Sequence, residues 1–350
     1  MKRLVGIMCI AALLSGIISC TRRDLLELEN IHYVRVYIDE NIKNVTTGIY
    51  NSERELPEYQ TPDIVRVIAC DPLTDKVVSE RYLQNSGSDE HGKYLDGYIN
   101  IPPGNYKLLA YSFGTKSCVL RNENTYSLAE AYTNNISTYL YGNFNSKDRE
   151  DEKIVYDPDH LFVDTNNNLE IGYKSHIDTI YNENGEYLKA ESIVKTYYIQ
   201  ITVEGAQYIT SSVALLSGLG GSSILHTGTE PVYEPVTVYF DMVKSEEAYN
   251  TPIGSGAVTA ELYGNFGTFG KLEGIASELE LSFDVITVDG RKLSYKLDIT
   301  DKFYEQATKD NQWIILNEKI VIPAPENVDN SGGFKPGVTE WEELRKEILC

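Results

Sequence analysis

Alternation of apolar and polar residues at period two is the pattern that most constrains how this chain can fold. In residues 32–38 the aliphatic Val34 and Val36 share one face of an extended strand, and Arg35 lies on the other. Similar runs recur along the chain, and no segment with a helical pattern of useful length separates one run from the next. The sequence therefore disfavours parallel βαβ units and predicts a mostly β protein with antiparallel sheets.

About seven predicted strands fall in each half of the chain, which is the number typical of a Greek-key sandwich. Tyrosine outnumbers phenylalanine by 26 to 9, and such a composition suits half-buried pleated surfaces. We therefore expect two β-sandwich domains in tandem, of the transthyretin-like or immunoglobulin-like kind.

Three short segments predict tight turns. Residues 102–105, Pro-Pro-Gly-Asn, stand between runs rich in Tyr, Ile and Leu, and we expect them to close a hairpin. Asp289-Gly290 predicts a second hairpin, with the type I′ turn that Asp-Gly favours. Residues 218–221, Gly-Leu-Gly-Gly, predict a tight turn rather than a phosphate loop, because no lysine and no helix follow them.

The first twenty residues have the organisation of a secretory signal that ends in a lipobox. Lys2 and Arg3 precede an apolar run over residues 4–18, and Ser19 stands before Cys20. The run is shorter than the roughly 20 residues that a spanning helix needs. We expect cleavage before Cys20 and acylation of its thiol, and because one acyl chain binds membranes only marginally, we expect several chains to hold the protein there.

Removal of residues 1–19 leaves 331 of the 350 residues, more than one ordinary core holds. The predicted organisation is a signal peptide at 1–19, a lipidated tether at 20–30, an N-terminal β-sandwich at 31–181, a C-terminal β-sandwich at 192–325 and a tail at 326–350. The tail has two interpretations: Phe334 and Trp341 pack onto the second domain, or residues 339–349 pair with a partner subunit.

The net charge excludes one class of partner. The formal charge of −21 becomes −23 once Lys2 and Arg3 leave with the signal. A field of this sign repels phosphate backbones, so we expect no nucleic-acid binding.

Cysteine usage leaves one alternative open. With Cys9 discarded and Cys20 acylated, Cys70, Cys118 and Cys350 remain in an oxidising setting. Cys70 ends one predicted strand and Cys118 begins another, so they either form a disulfide or remain two buried thiols.

An Asx-rich segment gives a candidate calcium site. Asp164, Asn166 and Asn168 stand at alternate positions, as oxygen ligands do at the start of a calcium loop. The match then fails, because Leu169 stands where the loop glycine is needed and Ser175 where the closing glutamate is needed. The alternative is a plain Asx-rich turn.

Catalytic patterns are not apparent in the sequence. The five histidines are scattered, with none three or four residues from another, so no metal-ligand set is visible. There is no Gly-x-Ser-x-Gly elbow, and no pair of carboxylates stands out from the acidic surface. We expect a protein that is not an enzyme and needs no cofactor.

Five separated stretches resemble one family in matching order. They are residues 101–111 (IPPGNYKLLAY), 214–218 (ALLSG), 264–270 (GNFGTFG), 297–301 (LDITD) and 332–341 (GGFKPGVTEW). Together they resemble an uncharacterised family of Bacteroidetes lipoproteins, which in turn is similar to the fimbrillin-associated anchor proteins of the major and minor fimbriae.

The resemblance implies transthyretin-like sandwiches, attachment to the outer membrane through the lipid, and a role in anchoring or ending a fimbria. Partners would be fimbrillin-like subunits that bind by strand addition, a mode that mostly β modules suit. Whether the chain faces the cell surface or the periplasm stays open. In this setting Asp178-Thr179-Ile180 also matches the Asp-Thr-aliphatic signal for O-glycosylation of Thr179.

A second function remains open. Carbohydrate sites use exposed aromatic platforms, and the many tyrosines of this chain are compatible with a surface glycan-binding lipoprotein. Trp313 does not provide such a platform, because its place in an alternating strand with Ile315 predicts a position in a core or at its margin.

Overall fold

The structure, a computed structural model, describes residues 30–40, 61–113, 117–136, 152–173, 177–229, 235–271 and 278–326. Strands dominate these residues, which confirms the predicted mostly β fold. Two short helices, α1 Glu246–Asn250 and α2 Gln306–Asn311, and three 3-10 turns are the helical elements described. None of the helices within these ranges has the length and apolar character to cross a membrane.

The described residues form twenty strands in three sheets. They are β1 Ile31–Ile38, β2 Val65–Cys70, β3 Val77–Leu83, β4 Asn85–Asp89, β5 Gly92–Asn100, β6 Gly104–Ser112, β7 Cys118–Arg121, β8 Glu130–Thr133, β9 Lys153–Tyr156, β10 Phe162–Ile171, β11 Asp178–Ile180, β12 Leu188–Ser192, β13 Lys195–Glu204, β14 Ile209–Gly220, β15 Ser222–Ile224, β16 Pro235–Lys244, β17 Thr259–Thr268, β18 Glu280–Thr287, β19 Lys292–Asp298 and β20 Trp313–Val321.

The first sheet folds back on itself to make a two-layered sandwich. Its order is β3-β2-β6-β10-β12-β1-β5-β4, with β11 paired to β1. The strand β12 joins the layers, because Ser192 pairs with β10 while Leu188 pairs with β1. Val34 and Val36 lie in the core between the layers, as their alternation predicts.

The predicted hairpin at residues 102–105 is wrong. The strand before it, β5, pairs with β1 and β4, and the strand after it, β6, pairs with β2 and β10. The segment therefore crosses from one layer to the other instead of joining neighbours. Its two prolines fix φ and lack N–H groups, which suits a connection that makes no ladder bonds.

The Asp289-Gly290 hairpin is confirmed, but its turn is not type I′. Gly290 alone of the pair has a positive φ, and its N–H donates to Thr287 O at 2.9 Å. The N–H of Thr287 donates to Arg291 O at 2.9 Å, so the loop has three residues. This is a type I turn followed by a left-handed glycine, the common three-residue hairpin.

The predicted turn at residues 218–221 is wrong, because β14 runs through to Gly220. Its pairing with β16 shifts register between Leu216 and Leu219, and Gly218 has φ +83° there. A glycine with positive φ inside a strand is typical of a bulge. The N–H of Gly218 donates to a carboxylate oxygen of the buried Glu152 at 3.2 Å.

The second sheet has eight strands in the order β19-β18-β14-β16-β17-β13-β20, with β9 paired to β16. Its buried face forms one large core, whose aromatic members are Tyr208, Phe240, Phe266, Phe283 and Phe303. Trp313 is 3% exposed and packs with Tyr198, in agreement with its predicted position in a core or at its margin. Among the described strands, four pairs in the two large sheets are parallel, which the sequence did not predict: β1 with β11 and β12, β13 with β20, and β16 with β9.

The chain crosses between the sheets where Asp157 and His160 lie. Because β9 belongs to the second sheet and β10 to the first, residues 157–161 return from one to the other. A second crossing leads from β12 of the first sheet to β13 of the second. His160 connects the two crossings, because its Nδ1 lies 2.7 Å from Ser192 Oγ and its Nε2 lies 2.9 Å from Thr196 Oγ1. The predicted domain limits, 31–181 and 192–325, stay a prediction.

Asp157 gives this crossing a pH-dependent stability. Burial raises the pKa of Asp157 to about 6, although the Gly267 N–H, 3.4 Å from Oδ2, acts in the opposite direction. The folded chain therefore holds a proton between about pH 4 and pH 6 that the unfolded chain releases, so stability falls as pH rises through this window. Above pH 6 the folded chain is destabilised by the full cost of holding the Asp157 carboxylate charged, roughly 3 kcal/mol for a rise of about two pKa units.

We expect Asp157→Asn to stabilise the protein at pH 8 by up to about 3 kcal/mol, because it removes the buried charge and keeps an oxygen for Gly267. At pH 4 the two proteins should have nearly equal stability. Urea unfolding at both pH values measures the difference. His160 is the same in both proteins, and burial lowers its pKa to about 4. An equal gain at both pH values would show that the charge of Asp157 is not the cause.

Candidate functional site: an open seam in the second sheet

The eight-stranded sheet curls until its two outer strands, β19 and β20, face each other. Tyr295 Oη of β19 donates to Val321 O of β20 at 2.8 Å. Within the described ranges no strand pairs with the outer edge of either one. We call this gap between β19 and β20 the seam. At this point it is bridged by a side chain and not by a backbone ladder.

The backbone groups of β19 that face the seam follow from its pairing with β18. The N–H of Thr287 donates to Arg291 O, and the N–H of Ile299 donates to Leu279 O. In an antiparallel ladder these pairs alternate, so the odd-numbered residues of β19 bond to β18. The even-numbered residues, which include Ser294 and Lys296, therefore direct their N–H and C=O groups into the seam.

The side chains of β19 alternate in the same way. Leu293, Tyr295 and Leu297 are half-buried and pack against the core of the second sheet. Lys292 and Lys296 are exposed. Lysines on an edge strand are a common means by which proteins avoid indiscriminate pairing. The strand β19 thus has an inner face that packs on the core and an outer edge that exposed lysines protect.

One end of the seam is closed by polar contacts around the β18–β19 turn. Arg291 Nη2 donates to Ala324 O at 2.8 Å, and Asp289 Oδ2 accepts the N–H of Glu326 at 2.9 Å. Partial burial would raise the pKa of Asp289, but hydrogen bonds from Thr287, Arg291 and Glu326 hold it well below its usual range. The carboxylate therefore stays charged and fixes the chain that leaves β20.

The other end is closed by the connection from β19 to β20. This connection contains the 3-10 turn Asp301–Tyr304 and the helix α2. Phe303 is buried in the core, and its ring centroid lies 5.0 Å from that of Tyr197. The strands β19 and β20 run in opposite directions, so an extended segment between them would be parallel to one and antiparallel to the other.

The predicted lipidation residue, Cys20, and most of the tether lie outside the described residues, as do the signal peptide and residues 327–350 of the tail. Cys70 and Cys118 lie in one buried cluster as free thiols. A disulfide between them in the oxidising setting stays a prediction. Burial raises the pKa of Cys70 to about 12, and the Cys118 thiol donates to Asp159 O at 3.2 Å.

The other predicted site residues lie in or near one small cavity of the first sandwich. Asn166, Asn168 and Thr179 line a cavity of about 260 Å³. Asp164 does not belong to it, since its Oδ2 accepts the N–H of Lys189 at 2.7 Å. The Oδ1 of Asn166 accepts the N–H of Asn168 at 2.9 Å, so one of the proposed calcium ligands is engaged by the backbone. Calcium binding and glycosylation of Thr179 both stay predictions.

The comparisons with known proteins agree with the resemblance seen in the sequence. Residues 79–241 match the model of a family described as a domain of unknown function (DUF5119). The matched segment begins in β3 and ends in β16, so it includes strands of both large sheets.

One curated relative from Bacteroides ovatus is 26% identical and is named "Putative fimbrium anchoring subunit Fim4B"; the alignment covers 96% of this chain and 95% of the relative. A crystal structure of "a putative adhesin" from the same species has a TM-score of 0.55 at 21% identity, covering 88% of this chain and 98% of that one. The fimbrial anchor protein Mfa2 from Porphyromonas gingivalis has a TM-score of 0.42 at 14% identity, with 83% and 90% covered. The chain is thus similar to a fimbrial anchoring subunit in sequence and to an adhesin in fold.

Proposed function

We propose that this chain is an outer-membrane lipoprotein that anchors a fimbria-like fibre. Acylated Cys20 would hold it at the membrane, and the seam would receive an extended segment of a fimbrial subunit. The similarity to an anchoring subunit over 96% of the chain supports the assembly role. The role is structural rather than catalytic, in line with the name of that relative.

The observation that carries the proposal is the pair of outer strand edges at the seam. A segment placed there can form ladder bonds with the even-numbered residues of β19 on one side and with β20 on the other. Its side chains can also cover the half-buried Leu293 and Leu297. Backbone bonds then supply affinity, and the fit of alternate side chains supplies specificity.

Removing outward N–H groups from β19 tests this role. Proline at Ser294 and Lys296 deletes two donors that face the seam and leaves the bonds to β18 in place, because both residues are even-numbered. With about 1 kcal/mol lost per hydrogen bond, we expect roughly 30-fold weaker capture of a fimbrial subunit. Capture can be measured by co-purification of the native fibre subunit with the variant.

The matched control carries alanine at the same two positions, Ser294 and Lys296, because alanine removes the side chains but keeps both N–H groups. We expect this control to capture the subunit as the unchanged chain does, and both variants to keep a cooperative thermal transition. Equal capture by the proline and alanine variants would exclude the β19 edge as the site of strand addition.

A further inference from the structure

The cavity in the first sandwich has the features of a small polar binding site. Its volume is about 260 Å³, somewhat below the roughly 300 Å³ at which pockets for drug-sized ligands begin. Buried His32, only 4% exposed, contributes from β1, and Asn166, 3% exposed, contributes from β10. The cavity therefore opens between the two layers of the sandwich at the end where β1 starts.

An irregularity in β10 opens this end of the sandwich. The pairing of β10 with β6 shifts register between Asn166 and Leu169. Such bulges redirect side chains and often lie beside binding sites. Asn166 is held on both sides, because its Nδ2 donates to Tyr181 O at 3.0 Å and its Oδ1 accepts the Asn168 N–H. The wall of the cavity is thus fixed before any ligand arrives.

The exposed groups at the rim suit hydroxyl groups. Asn168, Glu170 and Tyr181 are exposed and line the cavity. An amide both donates and accepts hydrogen bonds, a carboxylate accepts them, and a tyrosine adds an apolar ring face. Glu170 and the nearby Asp178 and Glu183 disfavour an anion.

A row of tyrosines continues from the rim over the outer face of the first sandwich. The ring centroid of Tyr181 lies 5.3 Å from that of Tyr187, and Tyr187 lies 5.8 Å from Tyr37. Arg35 stiffens the row, because its Cζ lies 3.8 Å from the centroid of Tyr94 and its Nη1 donates to Tyr37 Oη at 3.2 Å. Tyr37 is only 6% exposed and lies beneath the other rings. We call the accessible Tyr181, Tyr187 and Tyr94 the tyrosine row.

We propose that the cavity binds the terminal ring of a neutral saccharide and that the tyrosine row supports the next sugar units. Amide, carboxylate and hydroxyl groups around a space for one ring match a polyol, and aromatic rings outside it match the apolar faces of further rings. This binding is independent of the seam, since all of its residues belong to the first sandwich. The chain would then bind a glycan as well as a fibre.

Saturation-transfer NMR on the full-length chain in detergent tests this proposal. The probes are galactose, mannose, fucose and N-acetylglucosamine, each with a disaccharide that ends in the same ring. We expect transfer to at least one ring type and tighter binding of its disaccharide. Asn168→Ala keeps the backbone N–H that bonds Asn166, and Tyr181→Ala leaves the cavity wall in place. Each should weaken binding about tenfold, as the loss of one hydrogen bond or one ring contact predicts.

The control is Tyr249→Ala, which removes a tyrosine that is 61% exposed in α1, a helix beside the second sheet. Binding to this variant should equal that of the unchanged chain. The absence of transfer to every probe would overturn the proposal, and so would binding that survives both cavity variants. If calcium raises the melting temperature of the unchanged chain but not of Asn168→Ala, and no saccharide binds, the cavity is a cation site instead.

Discussion

Gly267→Ala is expected to destabilise the protein by about 3 kcal/mol or more, because the new methyl group has no room at the crossing between the sheets. A Cβ at this position would lie 2.3 Å from Pro158 O and 3.2 Å from Val194 Cγ1. Pro158 belongs to the segment that returns to the first sheet, and Val194 to the one that leads to the second. Relief of the clash therefore has to move the backbone at Pro158, while the side chain of Val194 has to shift slightly.

Thermal unfolding followed by circular dichroism measures the effect. At roughly 2–4 °C per kcal/mol for a domain of this size, the melting temperature should fall by about 6 °C or more. The control is Gly256→Ala, where the added Cβ meets nothing within 4 Å and φ is not positive. That variant should stay within about 0.5 kcal/mol of the unchanged chain. Equal melting temperatures for the two variants would show that the crossing has more freedom than its packing indicates.

This position also explains one of the sequence stretches that resemble the family. Residues 264–270 are rich in glycine, and the structure places them where β17 passes under the crossing. Gly264 has a similar role, because a Cβ there would lie 2.4 Å from Met242 Sδ and 3.1 Å from an atom of Phe240. The glycines therefore permit close packing of neighbouring segments, a need that no local pattern in the sequence reveals.

The sequence was informative at several positions where the determinant was local. Alternation correctly separated the inward Val34 and Val36 from the outward Arg35, and Asp289-Gly290 correctly predicted a hairpin. The prediction failed at residues 102–105. The turn residues were recognised there, but the strands on either side of them, β5 and β6, pair with other strands and not with each other. Whether two consecutive strands pair or occupy opposite layers depends on the whole sheet, so the same residues can serve either arrangement.

The candidate sites could be predicted only in part, for the same reason. The seam exists because β19 and β20 are the two terminal strands of the second sheet. The sequence of a strand does not reveal its position in the sheet. A partial signal was present, since Lys292 and Lys296 alternate with apolar residues. Lysines in this pattern are common on edge strands that are protected from indiscriminate pairing. Asn166, Asn168 and Thr179 were singled out for separate reasons, and only the bulge in β10 brings them to one cavity.

Cys20→Ala is expected to release the folded chain from the membrane fraction and to detach fibres from the cell, because the thiol that would carry the acyl chains is gone. Two or more acyl chains anchor a protein stably, and without them the acidic chain has no attraction for an anionic bilayer. Fractionation followed by immunoblotting measures the protein, and electron microscopy counts attached and shed fibres. Cys9→Ala is the matched control, because it changes a cysteine of the same segment outside the lipobox.

The proposed anchor role requires Cys20→Ala and the proline variant of the seam to lose different properties. A lipid-fixed N-terminus cannot be donated to a neighbouring subunit, and in the proposed role the chain receives a segment at the seam. Cys20→Ala should therefore lose the membrane but keep its capture of the fibre subunit, whereas proline at Ser294 and Lys296 should keep the membrane and lose capture. If Cys20→Ala stays with the outer membrane and fibres remain attached, anchoring through Cys20 is wrong while the fold and the seam stand. If Cys20→Ala loses both membrane attachment and subunit capture, the two functions are not separate, as the proposal requires them to be.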